Sequence, residues 1–502
     1  MPRVRLCARI CAAKLFVPPN DFGEGQPMSS EANVLPGMPA NLAAERLKNF
    51  RLIPRLETFP RVVALAQTTA GKLALLTCFG LILWRVDTWY WLMLACLAAT
   101  TFLPKQRHLV VMLGTMTYTV VTYLFGTTQP LVRLSFIGGV FALGILLIWI
   151  AARRPQSLVG KNALITLFAA FTGLILLCCW LPSESKGATM LWKFTMVLGS
   201  YFWFIGYALL DHKAKSSKSL ALHLGSLRPF WGSTATPFPS GPASLRRVEA
   251  KDAESLAVIQ LKGLKLLVWA TLLSFFLSGF VWFFHDYLHI PHFQTALYLS
   301  TKRTPVSWQL CWASIIVYYF YKLISISVWG HQIIACCRMA GFDAMRNTYR
   351  PLSSTSVAEY FNRYYFYYKE LLVYFFFFPT FLKMPARWGK LRVPLAIFAA
   401  VTFGNTFYHF TRDLGYIQAN GLWQSITTYD TFFFYSIVLA AGIAISRTGD
   451  APDPSLGFAR NTLLPATLVG LFNCLLNIFS QTDRAYPLTE YLRFLGHLFF
   501  LN

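Results

Sequence analysis

A series of apolar stretches, each near the length needed to cross a bilayer, constrains this chain more than any other feature. A hydrocarbon layer about 30 Å thick demands ~20 apolar residues per helical crossing. Such stretches run over Val62–Trp84, Trp89–Leu103, Leu109–Gly126, Leu131–Ala151, Asn162–Leu181 and Leu191–Leu210. After a polar loop they resume at Val258–Phe284, Val306–Trp329, Val393–Phe410, Thr431–Ile445 and Leu463–Phe479. In lipid only a helix or a closed barrel satisfies its own backbone, and segments of this length read as helices. The expected fold is therefore an all-α polytopic membrane protein of about 11 transmembrane helices plus re-entrant or interfacial segments. Only 13% of the 502 residues are charged, too few to coat a soluble protein of this size.

The net charge of +24 sits mainly in the N-terminal arm and between the apolar stretches. That placement fits cytoplasmic loops facing anionic lipid, and no soluble domain is present to carry a nucleic-acid surface. Lys105, Arg107, Arg153, Arg154, Lys161 and the basic loop after Leu210 fall on the side of the arm, which puts the N-terminus in the cytoplasm. Lys302 and Arg303 count against this orientation. Residues 1–60 read as a basic, disordered arm in which Met28 offers a second start, and 61–502 as a single multi-pass membrane domain. Within it, 211–256 is too rich in Pro and Gly for a folded domain, and its aromatics suggest a cytoplasmic or interfacial loop.

Metal chemistry is not indicated. Cys178-Cys179 and Cys336-Cys337 lack CxxC spacing, and these four lie with Cys78, Cys96, Cys311 and Cys474 in or beside apolar segments. His285 and His289 are four apart, but no Glu stands beside the first and Pro291 stops a helix before His292. Aromatic and His residues also gather at membrane interfaces for packing alone.

The polar block opening Gly330–Phe381 is harder to account for as scaffold. Ser356-Val357-Ala358-Glu359 has the pattern of a helix capping box. Arg346, Arg350 and Arg363 give a positive field suited to phosphate or carboxylate, although ordinary positive-inside bias gives the same pattern. Leu371–Leu382 is short for a span and is followed by Lys383, Arg387, Lys390 and Arg392, so a re-entrant segment is expected. His409, ending the next span, has three open readings: general base, hydrogen-bonded core residue or interfacial anchor.

Pro351-x-x-Ser354-x-Ser356-Val357-x-Glu359-Tyr360-Phe361-x-Arg363 resembles the signature of the membrane-bound O-acyltransferase family, in the form its bacterial branch carries. Asn347 keeps the spacing of the family's Asn ahead of the Pro, and Met339-Ala340-Gly341-Phe342 resembles its Leu-Gly-Phe. Phe407-Tyr408-His409 is similar to the later Leu-Trp-His, and Pro237–Pro242 followed by Arg246 is a weaker echo of a family loop. The resemblance covers Pro229 to Thr411, with 330–410 as the implied core. Where the bacterial branch has Trp-His after the arginine, this chain has Tyr364-Tyr365.

The resemblance implies transfer of an acyl group from a thioester donor, acyl-CoA, to a hydroxyl acceptor such as a polysaccharide. It implies His409 as catalytic base, with Asn347 a donor to the developing oxyanion. Arg363, Tyr365, Arg350 and Asn405 would bind substrate. No cofactor is expected beyond the co-substrate. The implied partners are the bilayer, donor, acceptor and an accessory protein of the same pathway, and the implied location is a bacterial inner membrane. A transporter or flippase of a lipid-linked or acylated molecule is the competing reading, and an inactive scaffold of the same fold a third.

Overall fold

The computed structural model describes residues 52–85, 88–126, 129–182, 184–211, 219–232, 236, 238–302, 306–447 and 459–500. Most of the expected arm, and Pro237 of the proline-rich loop, lie outside the described residues. Leu56–Asn502 forms one compact unit. Among the described residues every regular element is helical, and strand-like pairing is limited to an isolated antiparallel bridge between Glu249 and Phe342.

Eight described helices are long and apolar enough to cross a membrane: Pro104–Phe125, Pro130–Arg153, Ala163–Trp180, Lys186–Asp211, Ala253–Tyr287, Trp308–Met339, Ala386–Phe410 and Ala459–Phe479. Each falls on an expected stretch, so the molecule is a multi-pass membrane protein. The other three stretches depart from the expectation. Val62–Trp84 is broken into Pro60–Gln67 and Thr69–Leu83, which meet at 91°. Thr68 makes the elbow: its hydroxyl donates to the Leu65 carbonyl at 2.7 Å and accepts from the Gly71 amide at 3.1 Å. A side chain on Gly71 would start 2.0 Å from that carbonyl oxygen, so only glycine permits the bend. Tyr90–Phe102 and Asp430–Ile445 are apolar but short, at 13 and 16 residues. At 1.5 Å per residue they reach about 20 and 24 Å, less than a hydrocarbon layer.

The polar block does not begin where its composition changes. Trp308–Met339 is one helix of 32 residues, so Gly330, His331 and Gln332 belong to its last turns. Nothing breaks it before Gly341, whose φ of +93° is a conformation glycine adopts freely. Ala253–Val281 starts from a capping box made by Asp252 and Ser255 and packs along this helix. Buried Gln260 ties the pair together, donating to Thr101 Oγ1 at 2.9 Å and the Met339 carbonyl at 3.1 Å.

The expected re-entrant segment is instead one arm of a helical hairpin. Helix continues through Phe366–Leu372, a π turn at Val373–Phe377 and Phe378–Lys383. It reverses through a short 3-10 stretch at Ala386–Leu391, where Gly389 has φ +44°. The return arm is Arg392–Phe398, a second π turn at Ala399–Gly404, and Asn405–Phe410. Arg392 ties the reversal by donating to the Phe381 carbonyl at 2.8 Å. The ascending run therefore does not fold back on itself; the basic cluster sits at the hairpin tip.

The loop at 211–256 is also more deeply placed than its composition suggests. Phe230, Trp231 and Phe238 are almost fully buried, packed with Phe342 and Tyr367 in the core. Burying a phenylalanine is worth about 1.5–3 kcal/mol, which favours an internal path over an interfacial one.

Candidate active site

Two neighbouring π turns shape the site. A π turn inserts one extra residue, so the helix beyond it presents a rotated face. The turns at Val373–Phe377 and Ala399–Gly404 pack against each other, with Gly404 against the Phe376 ring. On either side of that contact, Tyr368 from one arm meets Asn405, Tyr408 and His409 from the other. Tyr368 donates to Asn405 Oδ1 at 2.5 Å, and Asn405 Nδ2 donates to Ser436 Oγ at 3.2 Å. Asn405 is 3% exposed and bonded at both ends of its amide.

These groups face a cavity of about 420 Å³, within the range of sites that enclose a small ligand. Its walls include Tyr360, Tyr364, Tyr365, Tyr368, Tyr408 and Tyr435, with Trp329, Phe361 and Phe432. Polar groups on the walls are Thr236, Asn405, His409, Asn473, Asn477 and Ser480, and the cations are Lys322 and Arg412. Among the described residues no aspartate or glutamate lines it. His409 packs beside the Phe432 ring, centroid to centroid 4.7 Å, and neither of its ring nitrogens bonds to a described residue. A neutral imidazole facing such a cavity can accept a proton from a hydroxyl brought to it. Arg412 donates to the Tyr408 hydroxyl at 2.9 Å and also borders a second, smaller cavity of about 200 Å³ beside Ser200 and Thr411.

Of the six site residues read from the sequence, His409, Tyr365 and Asn405 meet at this cavity. Tyr365 lies at the break between Val357–Tyr364 and Phe366–Leu372 and shares a 2.6 Å hydrogen bond with Thr236. Burial pushes its phenol well above the usual tyrosine range, so it stays protonated at neutral pH.

Asn347, Arg350 and Arg363 lie outside the cavity lining. Asn347 works at the same helix break. Its carbonyl accepts from the Phe366 amide at 3.0 Å and its Oδ1 from the Tyr367 amide at 3.3 Å. It thus satisfies two amides that open a helix without an N-cap side chain of its own. A side chain on Gly330 would begin 2.8 Å from Asn347, so the fit needs glycine there. Arg363 pairs with Glu359 at 2.6 Å and donates to Ser353 Oγ at 2.7 Å. Arg350 is exposed, in a left-handed conformation, and lies with Arg346 near the ring of Tyr349. The capping motif forms only in part. Ser356 Oγ accepts from the Glu359 amide at 3.1 Å, while the Glu359 carboxylate returns to the amide of Thr355, 2.8 Å away, rather than to Ser356.

Among the described residues no cluster of His, Cys, Asp or Glu could hold a metal ion. His285 bonds the Ile290 carbonyl at 2.7 Å and stacks on His292 at 3.7 Å between centroids. Lys322 is one of the wall residues that sequence reading missed. Its signal was available: it is the one charged side chain in the apolar stretch Val306–Trp329. Tyr360, Tyr364, Tyr365 and Tyr368 are close in sequence, but Tyr408 and Tyr435 join them only in the fold. No known family model matches the chain, and no curated protein matches it.

Proposed function

We propose that the protein is a membrane O-acyltransferase that moves an acyl group from a thioester such as acyl-CoA to a hydroxyl. The observation that carries this reading is His409 facing the cavity with both ring nitrogens available, on the helix arm that follows the signature-like block. In this account His409 takes the proton of the acceptor hydroxyl as its oxygen attacks the thioester carbonyl. The carbon–sulfur bond then breaks, the thiolate leaves, and the imidazolium returns a proton to it. Tyr365 and Tyr368 form the wall against which the reactants are held. Arg346 and Arg350, near Tyr349 and outside the cavity, would draw a phosphate-bearing donor from the cytoplasmic side that the loop charges define.

The test compares wild type and His409→Ala, purified and matched for folding, in acyl transfer from labelled acyl-CoA. The mutant should lose at least about 100-fold in turnover, the usual range for a general base. Equal turnover would end the assignment. A protein that moves its substrate without consuming thioester would be a transporter instead.

A further inference from the structure

We infer that the acceptor taken by this cavity carries an oxyanion, a phosphate or carboxylate, anchored by the Lys322 ammonium that lines the same cavity as His409. This rests on the acyl-transfer reading for the word acceptor; the anion site itself stands on its own geometry. Lys322 lies near the middle of Trp308–Met339, on the order of 20 Å from either helix end at 1.5 Å per residue. A lysine inside an apolar membrane helix is costly and so needs a use.

Among the described residues three other shielded lysines meet carboxylates, whereas half-buried Lys72 and Lys193 do not. Lys265 pairs with Glu57 at 3.6 Å, Lys262 with Asp343 at 2.8 Å, and Lys369 with Glu370. Lys322 does not. Its ammonium donates to Ser480 Oγ at 2.8 Å and lies 4.9 Å from the centroid of the Tyr318 ring, both neutral groups. Among the described residues it has no ion pair, and no acid lines the cavity it shares with His409. A positive charge held by neutral partners in a low-dielectric pocket is complementary to an anion that arrives with the ligand.

The anion belongs to the acceptor rather than to the donor's phosphates. In acyl-CoA the pantetheine arm separates the thioester from the nearest phosphate by many bonds. A cation in the same cavity as the base is therefore too close to the reacting carbon to meet those phosphates. Asn477 and Ser480 stand on the Lys322 side of the cavity and suit a hydroxyl-bearing molecule. Two sources share this chemistry: a soluble phosphorylated or carboxylated polyol, and a lipid headgroup such as a glycerophosphate.

The experiment measures equilibrium binding of radiolabelled glycerol 3-phosphate, gluconate and glycerol to the full-length protein in phosphatidylcholine nanodiscs, with and without phosphatidylglycerol. Wild type should bind at least one anionic probe about tenfold or more tightly than glycerol. Lys322→Met should abolish that preference and Lys322→Arg should keep it. His409→Ala should lose transfer while keeping the preference for anionic over neutral probes. Competition by phosphatidylglycerol against the soluble probes would assign a lipid source, and its absence a soluble one. Equal binding of glycerol and both anions, or a preference that survives Lys322→Met, would overturn the inference. Thioester consumption with neutral acceptors as good as anionic ones would sink it while leaving acyl transfer intact. A Lys322-dependent anion site without any thioester consumption would do the reverse.

Discussion

Asn347 offers the sharpest contest between two roles. As an oxyanion donor, its loss would cost about 100–1,000-fold in turnover with little change in stability. The geometry assigns it a different task, accepting the Tyr367 amide at 3.3 Å at the start of the helix that carries Tyr368. Asn347→Ala would leave that amide without its side-chain acceptor in a residue only 3% exposed, at a cost of about 1–3 kcal/mol. Removing Asn347 Nδ2, which is buried and has no hydrogen-bond partner among the described residues, offsets part of this. The backbone bond from Phe366 to the Asn347 carbonyl remains, so the break should loosen rather than melt. Gly330→Ala pushes on Asn347 Cβ and Nδ2 from 2.8 Å while leaving the amide in place, and it should give the same phenotype. The double variant should be less destabilised than the sum of the two, as expected for residues in contact. The assay is unfolding midpoint beside turnover measured well below that midpoint. Lower midpoints with turnover reduced less than about tenfold are expected. Turnover collapse in Asn347→Ala with an unchanged midpoint, and a normal Gly330→Ala, would refute the capping argument.

Gly404→Ala places a methyl 2.5 Å from the Phe376 ring between the two π turns and should destabilise by about 1–3 kcal/mol, read as a lower unfolding midpoint. Tyr365→Phe keeps the wall and loses only the 2.6 Å bond with Thr236, so about 1 kcal/mol of stability and less than about tenfold in turnover should go. Glu249 bonds Arg246 at 2.6 Å, His108 at 3.0 Å and Arg107 at 3.3 Å. Burial works to raise its pKa, but the His108 hydrogen bond and the charges of His108, Arg107 and Arg246 outweigh it and hold the carboxyl below its usual range. A depressed pKa contributes stability above the ordinary carboxylate value and loses it as pH falls through the depressed one. Wild type should therefore lose midpoint on acidification from about pH 7 to pH 3, and Glu249→Gln, less stable at neutral pH, should lose less over that range.

How much could be read from the chain depended on whether the signal was local. Apolar length is local, so the eight long spans could be placed. The elbow at Thr68 could not, because Thr-Thr-Ala-Gly breaks a helix only when Thr68 turns its hydroxyl on Leu65 and Gly71. The Glu359–Arg363 pair is four residues apart on one helix and was readable as an ion pair. Charge near a membrane invites a ligand-binding reading of Arg363 instead, and positive-inside bias gives the same pattern. The hairpin went unread because its arms are joined across 366–410 by Gly404 against Phe376 and Tyr368 against Asn405, contacts with no sequence spacing to announce them. Lys322 was legible and passed over. One lysine in an apolar stretch outweighs several arginines in a polar one, since its cost is greater and its neighbours fewer.

The most direct measurement of the central claim follows thiol release and ester formation in parallel, with wild-type protein, acyl-CoA and a hydroxyl acceptor in nanodiscs. Acyl transfer predicts one thiol released for each ester formed, both lost together in His409→Ala. Acceptor crossing the bilayer with no thiol released, or thiol released at the same rate in His409→Ala, would contradict it.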